Sequence, residues 1–173
     1  MLLKIMKYSD LDERKLMDIY AESNLENTDY FFPGETDKET AVKKVEAGFL
    51  DFLKKDFFAL TGAAYWILEI DGSWVSALRT YRIKDDLYYL EALEARPDQR
   101  RIGNGSILLS GVIEALEKNG PFQLCDCVSK KNVASLKTHE KCGFQIVSEE
   151  GYDYLHEETD NLDFGLEYRY SGE

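Results

Sequence analysis

The sequence predicts one mixed α/β domain of the α+β kind, with a mostly antiparallel sheet flanked by helices. Three observations carry that prediction. Stretches of helical and strand periodicity alternate along all 173 residues with no repeat, low-complexity tract or Gly/Ser linker, so 1–173 reads as a single domain. Three strand-like runs, 63–70, 73–82 and 87–95, follow one another across tight-turn signals, which makes an antiparallel meander. Two strand–helix units come next, and their crossovers require a parallel or mixed portion of sheet.

Taken in order, residues 2–8 read as a strand. Ser9-x-x-Asp12 has the spacing of a capping box, and Leu16, Ile19 and Tyr20 follow at helical spacing. The helix fades near Asn24–Asn27, and Pro33-Gly34 closes an aromatic loop, Tyr30-Phe31-Phe32. Thr36-x-x-Glu39 opens a second helix with Val42, Val45, Phe49, Phe52 and Leu53 along one face. Asp71-Gly72 is a strong hairpin signal, and Asp85-Asp86 makes the next turn. Pro97 ends the third strand of the meander. A helix from about Asn104 to Lys118 is stopped by Asn119-Gly120-Pro121. Then come a strand at 122–128, a short helix at 132–142 ended by Gly143, a strand at 144–148, an acidic loop and a last strand at 164–170. The order is β-α-α-β-β-β-α-β-α-β-β.

Composition excludes several classes. Lys+Arg is 21 against 33 Asp+Glu, a net charge of −12, so a field that repels polyanions argues against nucleic-acid binding. The same charge suits a cationic small substrate, although acidity serves solubility in many proteins. No apolar stretch reaches the length of a membrane span, and Met1-Leu2-Leu3-Lys4-Ile5 is too short an apolar run for a signal peptide. Three cysteines, two of them in Cys125-x-Cys127 within an apolar stretch, argue against a disulfide framework and for a cytoplasmic protein.

The chemistry centres on Arg100-Arg101-Ile102-Gly103-Asn104-Gly105-Ser106, which runs from the end of a strand into a helix. Glycines there let backbone N–H groups converge, and the helix N-terminus adds partial positive charge, so a phosphate fits even on an acidic protein. A plain tight turn has the same signature. The loop lacks the Gly-Lys-Ser/Thr of a P-loop, and its Gly-x-Gly does not continue into the dinucleotide fingerprint.

Arg100 to Gly105 matches Arg/Gln-x-x-Gly-x-Gly/Ala, the cofactor loop that ends the fourth strand in the GNAT superfamily of acyl-CoA-dependent N-acetyltransferases. A second motif of that family is an Asn opening a short helix, a Tyr seven residues on, and Gly-Phe opening the next strand. Asn132, Gly143 and Phe144 match it, with His139 standing where Tyr is usual. In these motifs, and in element order over nearly the whole chain, the sequence resembles that family. The resemblance implies acetyl-CoA as acyl donor and direct acetyl transfer to an amine, with a small molecule as the expected acceptor. It implies that the amides of Arg101, Ile102, Gly103, Asn104, Gly105 and Ser106, with Arg100, hold the pyrophosphate. Backbone groups of Leu93 and Ala95 would pair with pantetheine like an added strand, and Asn132 would hold the cofactor from the far side of the cleft. A backbone N–H near Leu93 would stabilise the oxyanion.

Strand alternation puts Glu91 and Glu94 on opposite faces, with Glu91 on the face of Tyr89 and Leu93. Glu91 is the first expectation for general base and Glu94 the second; cross-strand pairing with Arg79 or Arg82 is the alternative for both. Asn132, Ser135 and His139 share a helical face, so the His139 imidazole can donate a proton to the leaving sulfur in place of Tyr. Packing between helix and sheet is its alternative, with Tyr20, Tyr152 or water as other donors. Cys125, Cys127, His139 and Cys142 have ligand chemistry, but a Cys-x-Cys on one face of an apolar strand packs as a small hydrophobe, and no metal is expected. The acidic, aromatic residues 149–163 and the 30–32 loop would frame a cationic amine through charge and cation–π contact, and a solvated hairpin is the plainer reading. Aromatic strands near the C-terminus could pair two copies into a homodimer. Two other classes remain open: a CoA-binding regulatory or interaction module that has lost catalysis, and a phosphate-binding domain indifferent to pantetheine.

Overall fold

In the computed structural model, which describes residues 1–172, seven strands form one sheet and six α-helices cover its two faces. The strands β1 (Leu2–Ile5), β2 (Ala64–Ile70), β3 (Ser73–Lys84) and β4 (Leu87–Ala95) run antiparallel in spatial sequence. Asp71 and Gly72 turn β2 into β3 with φ of 49° and 76°, the doubly left-handed conformation that a two-residue hairpin needs. Beyond β4 lie β5 (Phe122–Ser129), β9 (Asp163–Tyr170) and β6 (Gln145–Ser148). Membership of β4 and β5 in one sheet rests on a short parallel contact, Leu87–Tyr89 against Gln123–Cys125. Past Tyr89 the two strands part, and β4 from Leu90 to Ala95 has no strand on that side.

Each face buries its own core. On one side α5 (Asn104–Glu117) presents Leu108, Leu109, Val112 and Leu116, at helical spacing, to Trp66, Leu78, Leu90 and Leu124. With these side chains sealed from water, Leu109→Ala should cost about 2–5 kcal/mol. On the other side α1 (Glu13–Ile19), α2 (Ala21–Glu26), α3 (Thr28–Phe31) and α4 (Lys38–Lys55) close over Tyr65, Ile67, Ala77 and Tyr89. Asp12 caps α1 by accepting from Lys15 N at 3.0 Å, and Asp37 caps α4 from Glu39 N, so each helix starts later than the Ser9 and Thr36 signals predict. The fading segment and aromatic loop expected at 24–32 are the two short helices α2 and α3 instead. The acidic loop expected before the last strand contains a hairpin, β7 (Gly151–Asp153) with β8 (Glu158–Asp160), whose tip residues Tyr154 and Leu155 pack on the α1–α4 side.

One irregularity matters for the site. Ala77 of β3 opposes Glu94, while Arg79, two residues on and therefore on the same face, opposes Glu91, three residues back. An extra residue is absorbed at a bulge around Ala92, which takes φ of +56°. The bulge overturns the expected alternation. Glu91 and Glu94 lie on one face, toward α1–α4, whereas Leu93 packs against the opposite core.

Candidate active site

The loop after β4 begins with a 3-10 turn at Pro97–Gln99 and then alternates backbone handedness, with Arg101 at φ 63° and Gly103 at φ 92°. Such alternation turns successive amides toward one concavity. Among the described residues, no backbone carbonyl accepts from the amides of Arg101 to Ser106, and α5 has no side-chain cap at its N-terminus. The Asn104 side chain is buried and donates to Gln99 O at 3.2 Å, bracing the loop from beneath. These free amides open on a cleft of about 520 Å³ between β4, α5 and the start of α6 (Val133–Lys141).

Nine of the ten cofactor residues expected from sequence line this one cleft: Leu93, Ala95, Arg100, Arg101, Gly103, Asn104, Gly105, Ser106 and Asn132. Ile102 does not line it, and its side chain is 65% exposed. Asn132 also caps α6, accepting from Ser135 N at 3.1 Å. Sequence reasoning missed Gln99, next to Arg100 in the loop itself, and Thr138, Glu22 and Ser23, which reach the cleft only through the tertiary fold. Arg100 reaches across the loop, pairing with Glu22 and, at 2.9 Å, with Glu94.

On the other side of the bulge lies a second cavity of about 580 Å³, walled by Tyr20, α2, α3 and α4 and floored by Ala92 and Arg79. Ser23 and Glu94 line both cavities and mark their junction. Burial raises the Glu94 pKa above the ordinary carboxylate value, opposed by the Ser23 hydroxyl, which donates at 2.6 and 2.8 Å, and by the Arg100 charge. Tyr20 donates to Ala92 O at 2.6 Å and receives from Tyr65 at 3.0 Å, clamping the bulge. Glu91 lines neither cavity. It is held by Arg79 at 2.7 Å, the cross-strand pairing foreseen as its alternative, and the guanidinium in turn lies over Phe49, Phe52 and Phe57.

His139 is fully buried. Its Nδ1 donates to Ser135 O at 2.8 Å and its Nε2 lies 2.8 Å from Asp126 Oδ2. Burial pulls its pKa down, but the hydrogen bond and charge of Asp126, with the Ser135 carbonyl, carry it above the ordinary histidine value. Burial pushes Asp126 up as well, against the pull of His139. With Nδ1 hydrogen-bonded, Nε2 set against the Asp126 carboxylate and no exposed surface, the imidazole holds α6 against β5. A signal for this was present in the sequence: Phe122, Leu124, Asp126 and Val128 share strand parity, so one carboxylate was bound for the core and needed a partner.

Cys125 and Cys127 pack on the α1–α4 side, and His139 and Cys142 on the other, so the four do not converge. Burial raises both strand thiols to about 11, and Cys127 donates to Tyr152 O at 3.1 Å. Phe31 and Phe32 line the second cavity, and no residue of 149–163 does, so the acidic stretch and the aromatic loop do not share one cavity as the expected frame requires. Among the described residues, no helix is long and apolar enough to cross a membrane.

The model of the acetyltransferase (GNAT) family matches residues 16–144. No curated protein sequence matches the chain. Among solved structures, the fold is similar to the ribosomal-protein-S18-alanine N-acetyltransferase from Escherichia coli, with TM-score 0.63, 19% identity, and 100% of this chain and 96% of that one covered. It is similar to the PaiA N-acetyltransferase from Thermoplasma acidophilum in complex with coenzyme A, with TM-score 0.62, 15% identity and coverage of 98% and 99%. The Campylobacter jejuni N-acetyltransferase PseH in complex with acetyl coenzyme A gives TM-score 0.58, 17% identity and coverage of 99% and 100%.

Proposed function

Because the chain belongs to the acetyltransferase (GNAT) family, we propose that it transfers the acetyl group of acetyl-CoA directly to the amine of a small molecule. The observation that carries this reading is the meeting of two cavities at Glu94, one rimmed by unpaired loop amides and the other an aromatic-lined pocket of small-molecule size. Two of the structural relatives hold coenzyme A or acetyl coenzyme A, and the cleft here offers matching groups. The amides of Arg101 to Ser106 and the N-terminus of α5 suit a pyrophosphate. The open edge of β4 at Leu93 and Ala95 suits the amide-bearing pantetheine arm, and Asn132 closes the far side.

Acetyl-CoA would supply an activated acyl group. Glu94, its proton affinity raised by burial, takes a proton from the incoming ammonium so that the neutral amine can attack. The amine nitrogen bonds to the acetyl carbon as the C–S bond breaks; the nitrogen gives up its second proton through water in the cleft, and the departing thiolate takes one up by the same route, leaving neutral amide and free thiol. The left-handed Ala92 breaks the β3–β4 register at Leu93, and the Leu93 amide beside this break would donate to the developing oxyanion. Glu91 and His139 act as positioning residues: Glu91 fixes Arg79 beneath the acceptor, and His139 fixes α6.

Calorimetric titration with acetyl-CoA, CoA and ADP, followed by thiol release in the presence of amines, tests this reading. Acetyl-CoA binding tighter than ADP, with amine-dependent thiol release, supports it. Folded protein that binds no acetyl-CoA overturns it. Cofactor binding without turnover of any amine would favour the lapsed CoA-binding module, a reading drawn from His139 in the place of Tyr.

A further inference from the structure

The pocket beside Glu94 has a composition that narrows the acceptor. Five aromatic rings wall it, those of Tyr20, Phe31, Phe32, Phe49 and Phe52. Among the described residues lining it, Glu94 alone carries a carboxylate. Its two cations are already neutralised from outside the pocket: Lys44 by Glu35 at 2.7 Å and Arg79 by Glu91 at 2.7 Å. Those cations also cover ring faces. Lys44 lies 5.6 Å from the Phe32 centroid, and Arg79 lies 5.6 and 5.1 Å from those of Phe49 and Phe52. A ligand with a second ammonium would therefore find rings whose cation-binding faces are in use, like charge close by, and no second carboxylate.

Gly48 gives an independent indication. It lies within the 18-residue α4, where glycine destabilises a helix relative to alanine. No close approach demands it, because a Cβ built there meets nothing within 4 Å. The space it leaves is the pocket it lines.

We infer that the acceptor is a monoamine on an apolar body of aromatic size, its nitrogen at Glu94 and its body among the rings, and not a polyamine or a short aliphatic amine. This rests on the reading of the cavity as the acceptor site. The test compares 2-phenylethylamine, ethylamine and spermidine as acceptors, in wild type and in Gly48→Leu, with acetyl-CoA binding and melting temperature followed in parallel. Burial of one ring should give 2-phenylethylamine a kcat/KM at least about tenfold above either comparator. Gly48→Leu should cut that kcat/KM by about tenfold or more, while acetyl-CoA binding stays unchanged and the melting temperature does not fall.

Spermidine or ethylamine matching 2-phenylethylamine, or a leucine variant that keeps its kcat/KM, overturns the inference and leaves the acetyltransferase reading standing. Where acetyl-CoA binds but none of the three amines turns over, 2-phenylethylamine is titrated into CoA-loaded protein. Saturable binding that Gly48→Leu abolishes supports the inference, and no binding overturns it. Failure of the folded wild type to bind acetyl-CoA overturns the underlying reading, and the inference with it.

Discussion

The two cavities that meet at Glu94 are built by different means. The cleft proposed for the cofactor draws its main polar groups from one contiguous stretch, 100–106, and would work through backbone amides whose direction is set by φ at Arg101 and Gly103. The pocket proposed for the acceptor gathers side chains from Tyr20, from the three helices α2, α3 and α4, and from β3 and β4, and works through their packing. A site made of backbone tolerates many side chains and few changes of conformation; a site made of side chains does the reverse. The first should be common to proteins with different substrates, and the second should set which substrate this one takes.

The largest test of that contrast falls on the residue shared by both cavities. Glu94→Gln should lower kcat by roughly a hundredfold to ten-thousandfold while acetyl-CoA binding changes little, as steady-state kinetics beside calorimetry would report. Because burial raises the Glu94 pKa, the acidic limb of kcat/KM against pH should lie above the ordinary glutamate value of 4.5 and vanish in the variant. An equal loss of kcat in Glu91→Gln, with the protein folded, would erase the distinction drawn between the two carboxylates.

Next in size is Gly103→Val. A β-branched residue at φ 92° should cost about 1–3 kcal/mol or distort the loop, which corresponds to roughly a tenfold to hundredfold weaker acetyl-CoA affinity. The acceptor pocket should not register it, so calorimetry with 2-phenylethylamine on the same variant keeps the comparison sharp.

Glu91→Gln should show mainly in stability, with about 1–3 kcal/mol lost in urea unfolding as the largely buried Arg79 is left without its charge partner. The smallest effect concerns His139, whose folded pKa is raised. Its contribution to stability is complete below the ordinary histidine value of 6.5 and fades as pH climbs through the folded value. Melting curves across that range should slope downward in wild type and flatten in His139→Gln.

The cleft beside the 100–106 loop was legible in the sequence because the information there is local. Gly103 and Gly105 after a strand predict turned amides, and nine of the ten residues expected to hold the cofactor share one cleft. The seven main strands were legible for the same reason: period and turn chemistry act over a few residues. The bulge was not. Nothing in Leu90-Glu91-Ala92-Leu93-Glu94 says which residue goes left-handed, since the choice is fixed by β3 on one flank and by Tyr20 reaching over from the helices. Missing it reversed the relation between Glu91 and Glu94, and with it the order of the two candidate bases. Phe49 and Phe52 read as core because helical spacing cannot tell a buried face from a cavity wall. His139 read as a donor by resemblance, while Asp126, the neighbour that seals it, was passed over inside an apolar strand.

The parting of β4 from β5 has a bearing on how long the molecule lasts. A central strand left half-bonded along Leu90–Ala95 depends on water for what a ladder would otherwise supply. Any molecule that fills that gap and binds the folded chain alone adds stability in proportion to the logarithm of its concentration, about 2.7 kcal/mol at a hundred times its dissociation constant. With CoA or acetyl-CoA in the gap, resistance to unfolding and to proteolysis would track supply of the whole coenzyme, acetylated or not, so that a shortage of coenzyme would thin the population of the folded chain.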